Sequence, residues 1–131
     1  MKDLSKLTAE DVMLSKDKVD VIHEEEKVAV ARLKMLRKAI GGLPVVDQEE
    51  RLVGIITFRD LDLLGAGVHH FSVKDVMTKK LFTVRRRTTF QEIVTLMCET
   101  GLQRLPVTEK GKLAGLVTQG CVIRAVNASL K

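Results

Sequence analysis

The 131-residue chain contains no tryptophan, no tyrosine and only four phenylalanines. It therefore lacks the usual aromatic platforms on which unpaired bases stack. Cysteine is scarce too. Cys98 and Cys121 form neither a Cys-x-x-Cys pair nor a zinc-binding spacing, so two reduced thiols are expected. Cys98 falls in an apolar helical pattern, where a free thiol commonly acts as a small buried hydrophobe. No apolar run approaches the ~20 residues needed to span a bilayer. The first residues, Met1-Lys2-Asp3-Leu4-Ser5-Lys6, lack the apolar stretch of a secretory signal. A cytoplasmic location is the resulting expectation.

Signatures of catalysis are missing as well. There is no nucleophile–base set and no Gly-x-x-x-x-Gly-Lys loop to grip phosphate. His23-Glu24-Glu25-Glu26 departs from the His-Glu-x-x-His spacing of zinc hydrolases, and its glutamates suit the first turn of a helix. His69-His70 has no carboxylate or cysteine beside it at metal-binding spacing. Neither an enzyme nor a metal protein is expected.

What remains is ordinary for a globular chain, with 45% hydrophobic and 30% charged residues. The net charge of +5 is unevenly spread. Residues 1–70 carry 11 Lys and Arg against 13 Asp and Glu, a net of −2, whereas residues 71–131 carry 11 against 4, a net of +7. A cationic half points to an anionic ligand or partner.

The dominant positive feature is an internal repeat. Thr8-Ala9-Glu10-Asp11 reads as a helix-start capping box leading into Val12-Met13, and Ser72-Val73-Lys74-Asp75 leads into Val76-Met77 in the same way. A β-rich segment follows each, Val19-Asp20-Val21-Ile22 and Leu81-Phe82-Thr83-Val84. Two amphipathic helices come next. Val28, Ala31, Met35 and Ala39 define one face, and Phe90, Ile93, Met97 and Gly101 define the other. Gly41-Gly42 and Gly101 are the expected helix ends, because glycine accepts a left-handed backbone.

Each copy then gives two apolar runs around a polar turn. The first is Leu43-Pro44-Val45-Val46-Asp47 followed by Leu52-Val53-Gly54-Ile55-Ile56-Thr57-Phe58-Arg59-Asp60. The second is Leu105-Pro106-Val107-Thr108 followed by Leu113-Ala114-Gly115-Leu116-Val117-Thr118-Gln119-Gly120-Cys121. A last helix is expected over residues 58–64 and 119–128, and Gly65-Ala66-Gly67-Val68-His69-His70 reads as a linker. The expected unit is helix–strand–helix–strand–strand–helix, an α+β fold given twice. The copies divide at residues 1–68 and 69–131. One such unit cannot cover both faces of its sheet, so the two are expected to pack as a pseudo-twofold pair with a cleft between them.

The order Asp-Val-Met, amphipathic helix, Leu-Pro-Val, turn and Gly-h-h-Thr-x-x-Asp (h, apolar), given twice, resembles a tandem pair of CBS domains, a Bateman module, over nearly the whole chain. The resemblance implies a non-catalytic sensor of adenosine-containing ligands such as AMP, ADP, ATP, S-adenosylmethionine or NAD. It implies a homodimer, and a regulated enzyme, channel or transporter in another chain. It gives Asp60 the ribose hydroxyls, Thr57 the phosphate, and Ile40, Gly41, Gly42 and Pro44 the adenine. Lys18 and Asp20 fall where the family strand lines the pocket. Arg104, just before the second Leu-Pro-Val, takes the place of a basic residue that reaches the phosphate held by the other repeat. Its counterpart in the first copy is Gly42.

The second copy keeps Thr118 but has Cys121 in place of the carboxylate, and a thiol is a poor acceptor. One good site, built around Asp60, is the expectation. Plainer readings stand beside it. Asp60 also suits a helix start on electrostatic grounds alone. Arg85, Arg86 and Arg87 suit a solvated face, an acidic partner or nucleic acid. Ligand-independent dimerisation or docking through apolar helix faces is the main alternative function.

Overall fold

The computed structural model describes residues 3–65, 67 and 70–131. Half of the expected linker, Ala66, Val68 and His69, lies outside the described residues, and with it the first histidine of the His69-His70 pair. In chain order the elements are α1 (Ala9–Val12), β1 (Leu14–Ser15), β2 (Ile22–His23), α2 (Val28–Lys38), β3 (Gly42–Val46), β4 (Leu52–Thr57) and α3 (Phe58–Leu64). They continue with α4 (Val73–Val76), α5 (Phe90–Thr100), β5 (Arg104–Glu109), β6 (Lys112–Thr118) and α6 (Gln119–Leu130).

These form two compact units whose limits differ from those of the sequence repeats. A central unit spans Asp20–Leu81, and a terminal unit joins the residues through Val19 to Phe82–Lys131. The central unit holds a three-stranded sheet in the order β2-β3-β4. Its core is Val28, Ala31 and Met35 of α2, Leu43, Val45 and Ile56 of the sheet, and Val73, Val76 and Met77 around α4. The terminal unit holds a sheet in the order β1-β6-β5. Its core includes Ala9, Ile93, Met97, Leu105, Val107, Val117 and Cys121. Each unit thus takes its Asp-Val-Met segment from the other repeat. The exchange has a packing cause. Leu14 and Ser15 pair antiparallel with Leu116 and Gly115, and Thr78 exchanges backbone hydrogen bonds with Ile55 at 2.8 and 3.0 Å.

At α1 and α4 the carboxylate half of each predicted capping box forms: Asp11 Oδ2 accepts from Thr8 N–H at 2.8 Å and Asp75 Oδ2 from Ser72 N–H at 3.3 Å. The first β-rich segment shrinks to Ile22–His23, parallel to Val45 and Val46. Its earlier residues are otherwise engaged: Val19 closes a 3-10 turn onto the Lys16 carbonyl, and the Val21 carbonyl accepts from Lys34 Nζ at 2.7 Å. The second β-rich segment shrinks to one bridge, Val84 with Val107. The β5–β6 turn has positive φ at both Lys110 and Gly111 (53° and 79°), the conformation that suits a two-residue hairpin loop.

One expected helix end is corrected. α5 stops on left-handed Gly101 as predicted, but α2 stops on Ala39, at φ 54° and ψ 43°, rather than on Gly41-Gly42. Ala39 N–H reaches the Leu36 carbonyl at 3.4 Å and Ile40 N–H the Met35 carbonyl at 3.0 Å, which closes the helix before the glycines. Gly42 is instead the first residue of β3. A left-handed alanine carries a steric cost of about 1–2 kcal/mol. Ala39→Gly is therefore expected to stabilise the protein by about 0.5–1 kcal/mol, after the added chain entropy of glycine. A lower urea midpoint for this variant would contradict that assignment.

Candidate functional site

β4 delivers Thr57 to the point where the chain turns into α3. Thr57 caps that helix in extended conformation, and its hydroxyl accepts from Asp60 N–H at 3.3 Å. Asp60 answers through Oδ2, which accepts from Thr57 N–H at 2.9 Å. Asp60 Oδ1 accepts from the Thr78 hydroxyl at 2.9 Å. The carboxylate is half-buried and held from both sides. β3 brings the other residues alongside, because Gly42 lies opposite Thr57 in the antiparallel register and Phe58 N–H donates to the Gly41 carbonyl at 3.3 Å.

The central unit therefore gathers Gly41, Gly42, Thr57 and Asp60 at one end of its sheet. Ile40 and Gly41 are half-buried, whereas Gly42 and Pro44 are buried in β3. Asp20 belongs to the same unit and faces Lys38 at the end of α2, at 3.9 Å. An ion pair this exposed contributes little. Lys18 and Arg104 belong to the terminal unit. Lys18 is exposed on a 3-10 turn. Arg104 opens β5 opposite Thr118. It is half-buried, and burial pushes its guanidinium below the usual arginine range. No salt bridge engages it among the described residues. A partly desolvated cation without a counter-charge is costly unless an anion arrives.

The second copy repeats the turn without its carboxylate. Thr118 caps α6 and accepts from Cys121 N–H at 3.1 Å. Cys121 is 2% exposed. Its sulfur lies 3.3 Å from the Thr118 hydroxyl, 3.6 Å from Arg124 Nη2 and 3.8 Å from the Leu116 carbonyl. A cavity of about 210 Å³ adjoins it, lined by Leu7, Asp11, Val12 and Arg124 among others. A thiol thus stands where the first copy has the Asp60 carboxylate.

Three arginines read together in the sequence separate in the structure. Arg86 is clamped by Glu10 and Glu109, both at 3.2 Å, while Arg85 and Arg87 are exposed. The expected burial of Cys98 is corrected: it lies on the exposed side of α5, because the core-facing row is Phe90, Ile93 and Met97. A thiol reagent is expected to modify one of the two cysteines rapidly in the native protein, at Cys98. Cys121 should react only on unfolding; rapid labelling of both would contradict its burial.

Residues 9–64 and 73–128 each match the family model of the CBS domain. The chain belongs to the CBS-domain family. This CBS pair is similar to CBSX2 from Arabidopsis thaliana, with 30% identity, a TM-score of 0.84 and coverage of 95% of this chain and 96% of that one. A structure of CBSX2 in complex with AMP superposes with a TM-score of 0.87 at 31% identity, covering 95% and 99% of the two chains. The Bacillus subtilis protein YlbB is 39% identical over 99 residues, covering 72% of this chain and 67% of that one. Inosine-5'-monophosphate dehydrogenase of Thermoplasma acidophilum is 32% identical over 121 residues. That match takes in 92% of the CBS pair but only 24% of the enzyme.

Two predicted features, the tandem repeat and the α+β fold, are therefore present. Sequence reasoning missed Thr78, which sits just past the second Asp-Val-Met and hydrogen-bonds Asp60. Nothing in its local sequence marks it. Only the exchange of segments between repeats brings it to that carboxylate.

Proposed function

We propose that this CBS pair is a regulatory module that binds an adenosine-containing ligand and catalyses no reaction. The observation that carries the reading is the half-buried Asp60 carboxylate, fixed beside the Gly41-Gly42 backbone at the start of α3. Carboxylate oxygens have acceptor capacity for more than one donor, and ribose hydroxyls supply such donors. Glycine backbone nearby admits close approach of a flat base. Arg104 of the terminal unit, half-buried and without a salt bridge among the described residues, is a cation that an anionic group would neutralise. CBSX2, whose structure contains AMP, supports this ligand class.

AMP, ADP, ATP, S-adenosylmethionine and NAD are the ligands to compare. The proposal includes a homodimer and a regulated enzyme, channel or transporter in the cytoplasm. The signal reaching that partner is bounded by the ligand's differential affinity for the two states. Among the described residues, no helix is long and apolar enough to cross a membrane. Calorimetry with the five ligands tests the reading: one of them is expected to bind at submillimolar concentration. No heat from any adenosine compound up to millimolar concentration would sink it.

A second reading draws on Val30, Leu33 and Leu36 along α2, which are 42%, 47% and 60% exposed. This apolar row suits ligand-independent docking on another protein. In that case Asp60→Ala and Arg104→Ala leave partner binding unchanged.

A further inference from the structure

The two repeats carry surfaces of opposite charge at matching positions. In the central unit, His23, Glu24, Glu25 and Glu26 line a cavity of about 260 Å³ with Asp47 and Gln48. A shift of 62 positions turns these residues into Arg85, Arg86, Arg87, Thr88, Glu109 and Lys110. In the terminal unit Arg86, Glu109 and Lys110, joined by Lys16 and Lys112, line a cavity of about 460 Å³. One backbone frame thus presents an acidic surface in one unit and a basic surface in the other.

Neither surface is fully neutralised from within. Glu25 is paired with Lys74 at 2.8 Å, and Asp47 and Glu49 are paired with Arg51. Glu24 and Glu26 have no salt-bridge partner among the described residues. On the basic side Glu109 and Glu10 are both taken by Arg86. Lys16, Arg85, Arg87, Lys110 and Lys112 are exposed, and none has a salt-bridge partner among the described residues. The basic side also carries a tight exposed turn. Lys110 and Gly111, both at positive φ, join β5 to β6, and Lys112 follows as the first residue of β6.

We propose that a second copy of this chain docks here, with the turn carrying Lys110 and Lys112 seated against the acidic cavity at Glu24 and Glu26. Charge complementarity identifies the occupant, because the chain itself carries a matching surface of the opposite sign. The contact is heterologous, since the two patches that meet are different. Its strength comes from exposed charges, so it is steered and salt-sensitive, because screening shortens the reach of such charges to about 10 Å at 0.1 M salt. It is separate from any association through the apolar row of α2 and does not depend on ligand.

Sedimentation velocity of the full chain at about 50 and 500 mM NaCl tests it, with charge reversals on each surface. Wild type is expected to self-associate at low salt, with affinity falling at least tenfold at high salt. Glu24→Lys with Glu26→Lys, and separately Lys110→Glu with Lys112→Glu, should each abolish that association. Circular dichroism should show both variants folded. Mixing the two variants should restore association, because each supplies the surface the other has lost. Absence of salt-dependent association, persistence of it in either variant, or failure of the mixture to recover it would each overturn the proposal. Nucleic acid occupying the basic surface in place of a second copy would overturn it as well.

Discussion

Gly115→Ala is expected to lower stability by about 3 kcal/mol, at the upper end for overpacking a core, and Met13→Ala should not restore it. Gly115 lies in β6 directly opposite Ser15 of β1. A β-carbon there would stand 2.5 Å from the Leu14 carbonyl oxygen and 2.5 Å from Met13 Sδ. Removing the methionine clears only one of these clashes, and the other is backbone. The equivalent change in the central unit should behave differently. A β-carbon on Gly54 would stand 2.5 Å from Met77 Sδ and 2.9 Å from its Cγ, with the nearest backbone, the Thr78 carbonyl, at 3.0 Å. Met77→Ala should therefore rescue part of the loss in Gly54→Ala. Urea unfolding of the four single and two double variants measures the two couplings. Equal rescue in both units would refute the backbone distinction.

Those glycines show what was legible in the sequence and what was not. The Asp-Val-Met and Gly-h-h-Thr motifs were visible, and so were their order and duplication. The contact between them was not, because the partner of each glycine is the methionine of the other repeat. Local periodicity reports which face of an element is apolar; it does not report which repeat covers it. α2 and α5 were readable because Val28, Ala31 and Met35, like Phe90, Ile93 and Met97, are buried at helical spacing. The end of α2 was misplaced because glycine is the usual left-handed residue, and here alanine takes that role. The short β2 and the single bridge at Val84 were overestimated because β-propensity does not reveal whether a neighbouring strand runs alongside. Thr57 and Asp60 were legible as a pair, yet their mutual capping and the Thr78 contact give that pair a structural role as well.

Asp60→Ala separates those two roles by moving two measurements independently. Loss of the capping interaction at α3 should cost about 1 kcal/mol of stability whatever the protein binds. If the carboxylate also accepts ribose hydroxyls, removing it should weaken the adenosine ligand by about 1.5–3 kcal/mol, roughly ten- to hundredfold. Asp60→Asn sharpens the distinction. It keeps the size and one acceptor oxygen, so it should retain more of the fold's stability while still losing charge-assisted binding. Thr78→Ala completes the set by freeing Oδ1 of its present donor, and ligand affinity should then hold or rise. Cys121→Ala removes only a buried thiol from the other repeat and should leave affinity unchanged. With no tryptophan in the chain, intrinsic quenching by tryptophan is no use and thermal shift is the practical readout. A ligand at a hundred times its dissociation constant stabilises by about 2.7 kcal/mol, so a hundredfold weaker variant at the same concentration keeps only about 0.4 kcal/mol of that shift. A ligand-induced shift as large in Asp60→Ala and Asp60→Asn as in wild type would reduce Asp60 to a helix cap. The adenosine site would then have to be sought elsewhere on the chain.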